Sequence, residues 1–303
     1  MREWHGTFTP PQNHRTSMST YAYRLLNVFA ESTFGGNQLC VFEDARGMDD
    51  ATMRALALQF NLSETTFILP SERADARVRI FTPDYEMRFA GHPTLGTAQV
   101  VRELAHTGDT LSLEFTAGVV PVSAAGDVWT LIAPQPGGLK TASEKMTTVD
   151  MAALLGLQQD DLLDAPLWVD TGSDQLLVAL RNIDAVRRTR PDAARLEAWP
   201  ESSLERKTVY VFAFDPDFPG RIVSRYFFVK TGGGVVEDPG TGSACANLGG
   251  WLIAKGYALP ARYRIEQGEA VKRPSVLHLQ VNPDGAIQVG GKVIELGRGS
   301  INV

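Results

Sequence analysis

The sequence predicts a mixed α/β chain arranged as two similar lobes with a cleft between them. Three observations lead there. The chain has 303 residues and a mass of 33.0 kDa, long for one core and suited to two domains of about 150 residues each. Its 28 Gly and 17 Pro break it into short strand-like and helix-like runs. Two segments also recur in the same order in each half. Gly35-Gly36-Asn37-Gln38-Leu39-Cys40-Val41 matches Gly172-Ser173-Asp174-Gln175-Leu176-Leu177-Val178, and Pro93-Thr94-Leu95-Gly96-Thr97-Ala98 matches Pro239-Gly240-Thr241-Gly242-Ser243-Ala244. A shared order of this kind points to a twofold pseudo-repeat.

Taken in order, Met1 to Ser19 are polar, contain Pro10-Pro11 and lack the apolar core of a signal peptide. They read as a flexible extension, with Met18 as an alternative start. A strand opens at Tyr21 and runs through Val28, and another covers Leu39 to Phe42. Asp49 and Asp50 read as caps of a helix whose apolar face is Met53, Leu56, Ala57 and Phe60. Thr65 to Leu69 and Val78 to Thr82 are strands ended by Pro70 and Pro83. Pro93 is placed at the first position of a helix reaching about His106. Leu95, Ala98, Val100, Val101, Leu104 and Ala105 make that helix apolar on more than one face, as in a buried helix.

Ala133 to Lys145 reads as a linker, separating an N-terminal lobe (20–135) from a C-terminal lobe (145–289). The final strand, 290–303, is a candidate to complete the first lobe. The second half then gives a capped helix (Thr148 to Leu157), strands at Leu167–Val169, Leu176–Leu180, Val209–Phe214 and Ile222–Val229, a helix from Pro239 to Gly256, and late strands at Ser275–Val281 and Ile287–Val289.

Composition narrows the function. Hydrophobic residues are 44% and charged residues 21% of the chain, which excludes a disordered, coiled-coil or collagen-like protein. The net charge is −6, and no long basic run supports a nucleic-acid partner. No apolar run reaches the roughly 18 residues of a membrane span. Two cysteines build no disulfide framework and suit a reducing, cytoplasmic setting. There is no phosphate loop, no dinucleotide fingerprint after Gly232-Gly233-Gly234 and no metal-ligand spacing.

In the two-lobed reading, both repeated helix starts face the cleft. A helix N-terminus offers unpaired N–H groups and partial positive charge, so the pair suits a small carboxylate-bearing molecule. Gly91, Gly96, Gly240 and Gly242 would allow close backbone approach, although the same glycines could simply pack helix on sheet.

At these residues the sequence resembles the phenazine-biosynthesis PhzF-like isomerase family. The matching stretches are Phe34-Gly35-Gly36-Asn37, Phe60 to Phe67 (with Ser63-Glu64-Thr65-Thr66), Phe81-Thr82-Pro83, Phe89-Ala90-Gly91-His92-Pro93, Glu237-Asp238-Pro239-Gly240-Thr241-Gly242-Ser243-Ala244, Glu266-Gln267-Gly268 and Arg273-Pro274-Ser275. The resemblance implies the diaminopimelate-epimerase fold, each lobe a mixed sheet wrapped around a central helix, with no cofactor and no metal. It implies a homodimer and an isomerase of the trans-2,3-dihydro-3-hydroxyanthranilate type. Carried over, Glu64 is the acid/base, and His92, Asp238 and Ser243 bind and polarise substrate. Gly36, Asn37, Gly91, Gly240, Thr241 and Gly242 line the substrate site. Gln38, Gly240 and Lys272 depart from the family's usual residues and leave those four unchanged.

Each residue also has a plain structural reading. Glu64 beside an apolar strand is either a desolvated base or a strand-edge carboxylate in water. His92 at a helix start is expected neutral because of the dipole, or is a cap. Asp238 is expected in the equivalent place before Pro239, as a hydrogen-bond acceptor or a cap. Ser243 and its expected counterpart Thr97 can point to the cleft or back to their helices. Cys40 and Cys245 are not at matched positions, which argues against a two-cysteine racemase and for small core residues. A racemase of the same fold, or a metabolite-binding paralogue without turnover, stay as alternatives.

Overall fold

The structure, a computed structural model, describes residues 18–135, 137–230 and 232–303. The expected extension therefore lies outside the described residues apart from Met18 and Ser19. The first half comprises β1 (Thr20–Val28), β2 (Asn37–Phe42), α1 (Asp50–Phe60), β3 (Glu64–Leu69), β4 (Ala76–Phe81), β5 (Glu86–Met87), α2 (Gly91–Ala105), β6 (Thr110–Phe115), β7 (Gly118–Ala125), β8 (Val128–Ile132) and β9 (Lys140–Ser143). The second comprises α3 (Thr148–Leu154), β10 (Leu167–Asp170), β11 (Asp174–Ala179), α4 (Ile183–Arg188), β12 (Thr208–Phe214), β13 (Arg221–Val229), β14 (Val235–Asp238), α5 (Gly242–Ala254), β15 (Ala261–Gln267), β16 (Ser275–Val281) and β17 (Ile287–Asn302).

The strand pairings repeat. β1–β2 are antiparallel, β2–β3 parallel, β3–β4 and β4–β5 antiparallel, β4–β6 parallel, β6–β7 and β7–β8 antiparallel. The series from β10 to β17 runs the same way: antiparallel, parallel, antiparallel twice, parallel, then antiparallel twice. β17 ties the halves together. Its first part lies between β16 and β8, and its later part pairs with β1 from Val293 to Asn302. β9 pairs with β10 as the end of β17 pairs with β1.

Each sheet wraps a helix that water barely reaches. In α2, Leu95, Ala98 and Val100 are fully buried; in α5 the same holds for Ala244, Cys245, Leu248 and Leu252. Burying one Val or Leu side chain contributes roughly 1.5–3 kcal/mol, so these helices anchor both cores. A Cβ on Gly96 would lie 2.4 Å from Leu39 Cδ2. At Gly96 the packing role is thus the correct one.

The expected boundaries move in five places. α2 begins at Gly91 with Ala90 as N-cap, so Pro93 is third in the helix, still within the turn whose N–H groups have no helical partner. Leu104 is 42% exposed rather than core. α5 begins at Gly242, not Pro239. α3 ends at Leu154. The linker contains β9, and the expected strands Ile287–Val289 and 290–303 are one continuous strand, β17, to Asn302.

Candidate active site

The N-termini of α2 and α5 abut. A Cβ built on Gly91 would lie 3.5 Å from Gly242 Cα, and one on Gly242 would lie 3.5 Å from Gly91 Cα. The pseudo-twofold axis therefore passes between these glycines, and it corrects the register of the second sequence match. Gly91 corresponds to Gly242 and His92 to Ser243. Neither Asp238 and His92 nor Ser243 and Thr97 are counterparts, and Cys245 corresponds to Thr94. The matched Pro239-Gly240-Thr241 is loop, held in that form by bonds described below.

Glu64 opens β3, on the N-terminal wall. Its side chain is 16% exposed, and its Oε2 lies 3.1 Å from His92 Nδ1. That oxygen is buried and makes no aligned hydrogen bond. His92 is 4% exposed. Its Nε2 is 3.1 Å from the Gln38 carbonyl, which can only accept, so Nε2 carries the proton. Burial alone would lower the His92 pKa, but the Glu64 carboxylate, Asp238 and the Gln38 carbonyl together raise it above its ordinary value. The helix dipole favours a neutral ring, and the carboxylate beside it acts in the opposite sense. No side chain caps α2, so His92 is not a cap.

Asp238 ends β14. Burial, and then the nearby Glu64 charge, push its carboxyl up to about 7 against bonds from Thr241 and Asn37 and the charge of His92 that act the other way. The residue as a whole is half-buried, but its carboxyl lies deep among protein atoms. Asn37 Nδ2 donates to Asp238 Oδ1 (2.9 Å) and to the Gly240 carbonyl (3.0 Å), and Thr241 Oγ1 donates to Asp238 Oδ2. Gln267 Nε2 donates to the Asp238 carbonyl (2.8 Å) and Thr241 Oγ1 (2.9 Å). These bonds occupy the carboxyl, so Asp238 does not cap α5, and they keep residues 239–241 out of the helix. Asn37 and Thr241, expected to line the substrate site, hold Asp238 from behind.

Ser243 Oγ accepts from Gln175 Nε2 at 2.9 Å, which leaves its own hydrogen free to donate. Gln175 is fixed by Asn247, whose Oδ1 accepts from Thr171 N and Oγ1 at 2.9 and 2.7 Å. Gly36 has φ +75°, and a Cβ there would lie 2.5 Å from the Val28 carbonyl, so the turn requires glycine. Its carbonyl and that of Gly35 accept from Arg273, at 3.1 and 2.9 Å. A Cβ on Gly240 would lie 2.9 Å from Ser275 Oγ, so Gly240 serves close packing behind the site.

Gln175, Gln267, Asn247 and Arg273 were not singled out from the sequence. The repeat held a signal for the first. Gln38 and Gln175 share a repeat position, and each secures the second residue of a central helix, one through its carbonyl and one through its side chain. Both cysteines are free and fully buried, and burial raises both thiols far from the thiolate form. Among the described residues, no group of three His, Cys, Asp or Glu is placed to hold a metal ion, and no helix is long and apolar enough to cross a membrane.

Comparison with known proteins agrees with this architecture. The profile of the family described as Phenazine biosynthesis-like protein (PhzC-PhzF) matches residues 26–298. The chain is 38% identical over 288 residues to an uncharacterized isomerase of Pasteurella multocida, covering 94% of this chain and 96% of that one. It is 32% identical over 283 residues to trans-2,3-dihydro-3-hydroxyanthranilate isomerase of Pseudomonas aeruginosa, covering 89% and 95%. Its fold is similar to that of the PhzF-family phenazine biosynthesis protein of Bacillus anthracis, with a TM-score of 0.80 over 94% of this chain and 100% of that one at 21% identity. Fold and relatives define an isomerase of the two-lobed, diaminopimelate-epimerase-like class. The chain belongs to the PhzF family of phenazine biosynthesis-like proteins.

Proposed function

We propose that the protein is a cofactor-independent isomerase that moves a proton within a small carboxylate-bearing molecule, with Glu64 as the acid/base. The observation that carries this is the 3.1 Å approach of Glu64 Oε2 to His92 Nδ1 beside the joined helix starts. As a carboxylate, Glu64 takes a proton from a substrate carbon. The imidazole, 3.1 Å away, is placed to share the proton Glu64 gains, so the proton can be returned elsewhere on the same molecule. Charge developing on the substrate meets the free N–H groups of the α2 and α5 first turns and the Ser243 hydroxyl. Asp238 orients a substrate amine or hydroxyl. The substrate class is that of the relative named trans-2,3-dihydro-3-hydroxyanthranilate isomerase, and the working form is a cytoplasmic homodimer.

Trans-2,3-dihydro-3-hydroxyanthranilate mixed with the protein should lose its ultraviolet signature, and Glu64→Gln should slow that by roughly 10²–10⁴-fold. Full activity in Glu64→Gln would overturn the role of Glu64. Tight binding without turnover in the unmodified protein, unchanged by Glu64→Ala, would instead mark a binding protein.

A further inference from the structure

Two arginines are half-buried and lack an acidic partner among the described residues. Arg273 spends its nitrogens on Gly35 O, Gly36 O and Asn27 Oδ1. Arg206 spends none: its guanidinium makes no hydrogen bond or ion pair among the described residues. It lies over the ring of Tyr85, 5.3 Å from the centroid. A half-buried guanidinium with free donors requires acceptors from solvent or from a ligand.

Its place in the fold favours a ligand. β3 pairs with β2 through Leu39 and Glu64, and β12 pairs with β11 through Leu176 and Val209. Leu39 and Leu176 share a repeat position, so Val209 is the counterpart of Glu64, and Arg206, three residues earlier, lies just beyond the same end of the C-terminal wall. The Tyr226 phenol feels the Arg206 charge. That phenol accepts from Gln175 at 3.3 Å, and Gln175 donates in turn to Ser243. Tyr85 comes from the opposite lobe, in the turn between β4 and β5, and is 41% exposed. The cleft also carries Glu64 and Asp238, which repel an acidic substrate, so a free cation on its wall offsets them.

We propose that Arg206 and Tyr85 form a second recognition subsite for an anionic group on the substrate, remote from the reacting carbon. The guanidinium fork takes a carboxylate in its plane, while the Tyr85 ring supports its face. The preferred substrates are then small ring acids that carry a second anionic group beyond the single carboxylate of trans-2,3-dihydro-3-hydroxyanthranilate, one group at the helix starts and one at Arg206. This rests on the acid/base reading of the same cleft.

The test uses non-reacting probes, benzoate and terephthalate, by calorimetry on the unmodified protein, Arg206→Met, Arg206→Lys and Tyr85→Ala, each checked for an unchanged melting temperature. Terephthalate should bind the unmodified protein about tenfold more tightly than benzoate, one tenfold step being 1.4 kcal/mol. Arg206→Met should erase that preference without weakening benzoate, Arg206→Lys should keep part of it, and Tyr85→Ala should reduce it. Absence of a preference, including failure of either acid to bind at millimolar concentration, overturns the proposal. So does an equal loss for both probes, which would mark Arg206–Tyr85 as a latch between lobes. Glu64→Gln, which removes a repelling charge, should tighten both probes and keep terephthalate ahead of benzoate, so a failed turnover assay and a failed subsite stay distinguishable.

Discussion

Glu64, His92 and Asp238 share one small space, and the Glu64 charge favours the protonated form of both neighbours. The free-energy consequence is clearest at Asp238. Its carboxyl titrates near 7 in the folded protein against an ordinary value of 3.8. The unfolded chain therefore releases this proton at lower pH than the folded one. Below pH 4 both states are protonated and the group costs nothing; as pH rises towards 7 the fold loses stability, by at most about 4 kcal/mol. His92 acts in the same direction, because its raised pKa makes its contribution fade as pH rises through the folded value. Asp238→Asn should therefore raise the melting temperature, with a gap to the unmodified protein that widens from about pH 4 to about 7 and then levels off, while lowering activity. A gap that is constant with pH would show that the carboxyl titrates normally.

At the level of elements, the site depends on turns that brace each other across the lobes. Arg273 and Pro274, from the loop after β15, grip the Gly35-Gly36 turn: Arg273 donates to its carbonyls, and Gly36 N donates back to the Pro274 carbonyl at 2.9 Å. That turn leads into Asn37, which holds Asp238. Gly36→Ala would force a side chain into the Val28 carbonyl at positive φ, costing at least about 2 kcal/mol. It should lower both the melting temperature and the activity on trans-2,3-dihydro-3-hydroxyanthranilate, whereas Gly108→Ala, with open space around it, should change neither.

These braces explain what could be read from the chain and what could not. The strands and the buried character of α2 followed from apolar periodicity, which burial enforces directly. The start of α5 did not, because Asn37 and Gln267, both distant in sequence, hold residues 239–241 in a loop by side-chain bonds. The repeat register slipped for the same reason. Pro93 lies inside its helix while Pro239 lies before the other, so the likeness of the two prolines misled and the contact between Gly91 and Gly242 decided. The upward pull on His92 was hidden because it comes largely from Glu64, 28 positions earlier.

Across the whole molecule, the two halves are one continuous set of strand pairings. A rigid-body view of two separate lobes is too simple, since β8 and β17 pair directly from Val128 to Ile132. Opening of the cleft must bend or twist this shared seam, or part the contacts at the helix starts and at Arg206–Tyr85. Substitution of Arg206 should then speed hydrogen exchange in the β4–β5 turn and leave the β8–β17 amides protected, as read by mass spectrometry.

The long β17 strand has a consequence for synthesis. β1 leaves the ribosome long before its partner along Thr20–Leu25 and Leu26–Val28, the distant β17. Until then the amino-terminal half has a bare edge and an incompletely covered helix, the condition under which nascent chains join one another or recruit chaperones. A chain ended at Asp284 should be recovered mainly as aggregate. A pause in translation anywhere between β1 and β17 would lengthen the exposure of that edge, whereas the same pause before β1 would not.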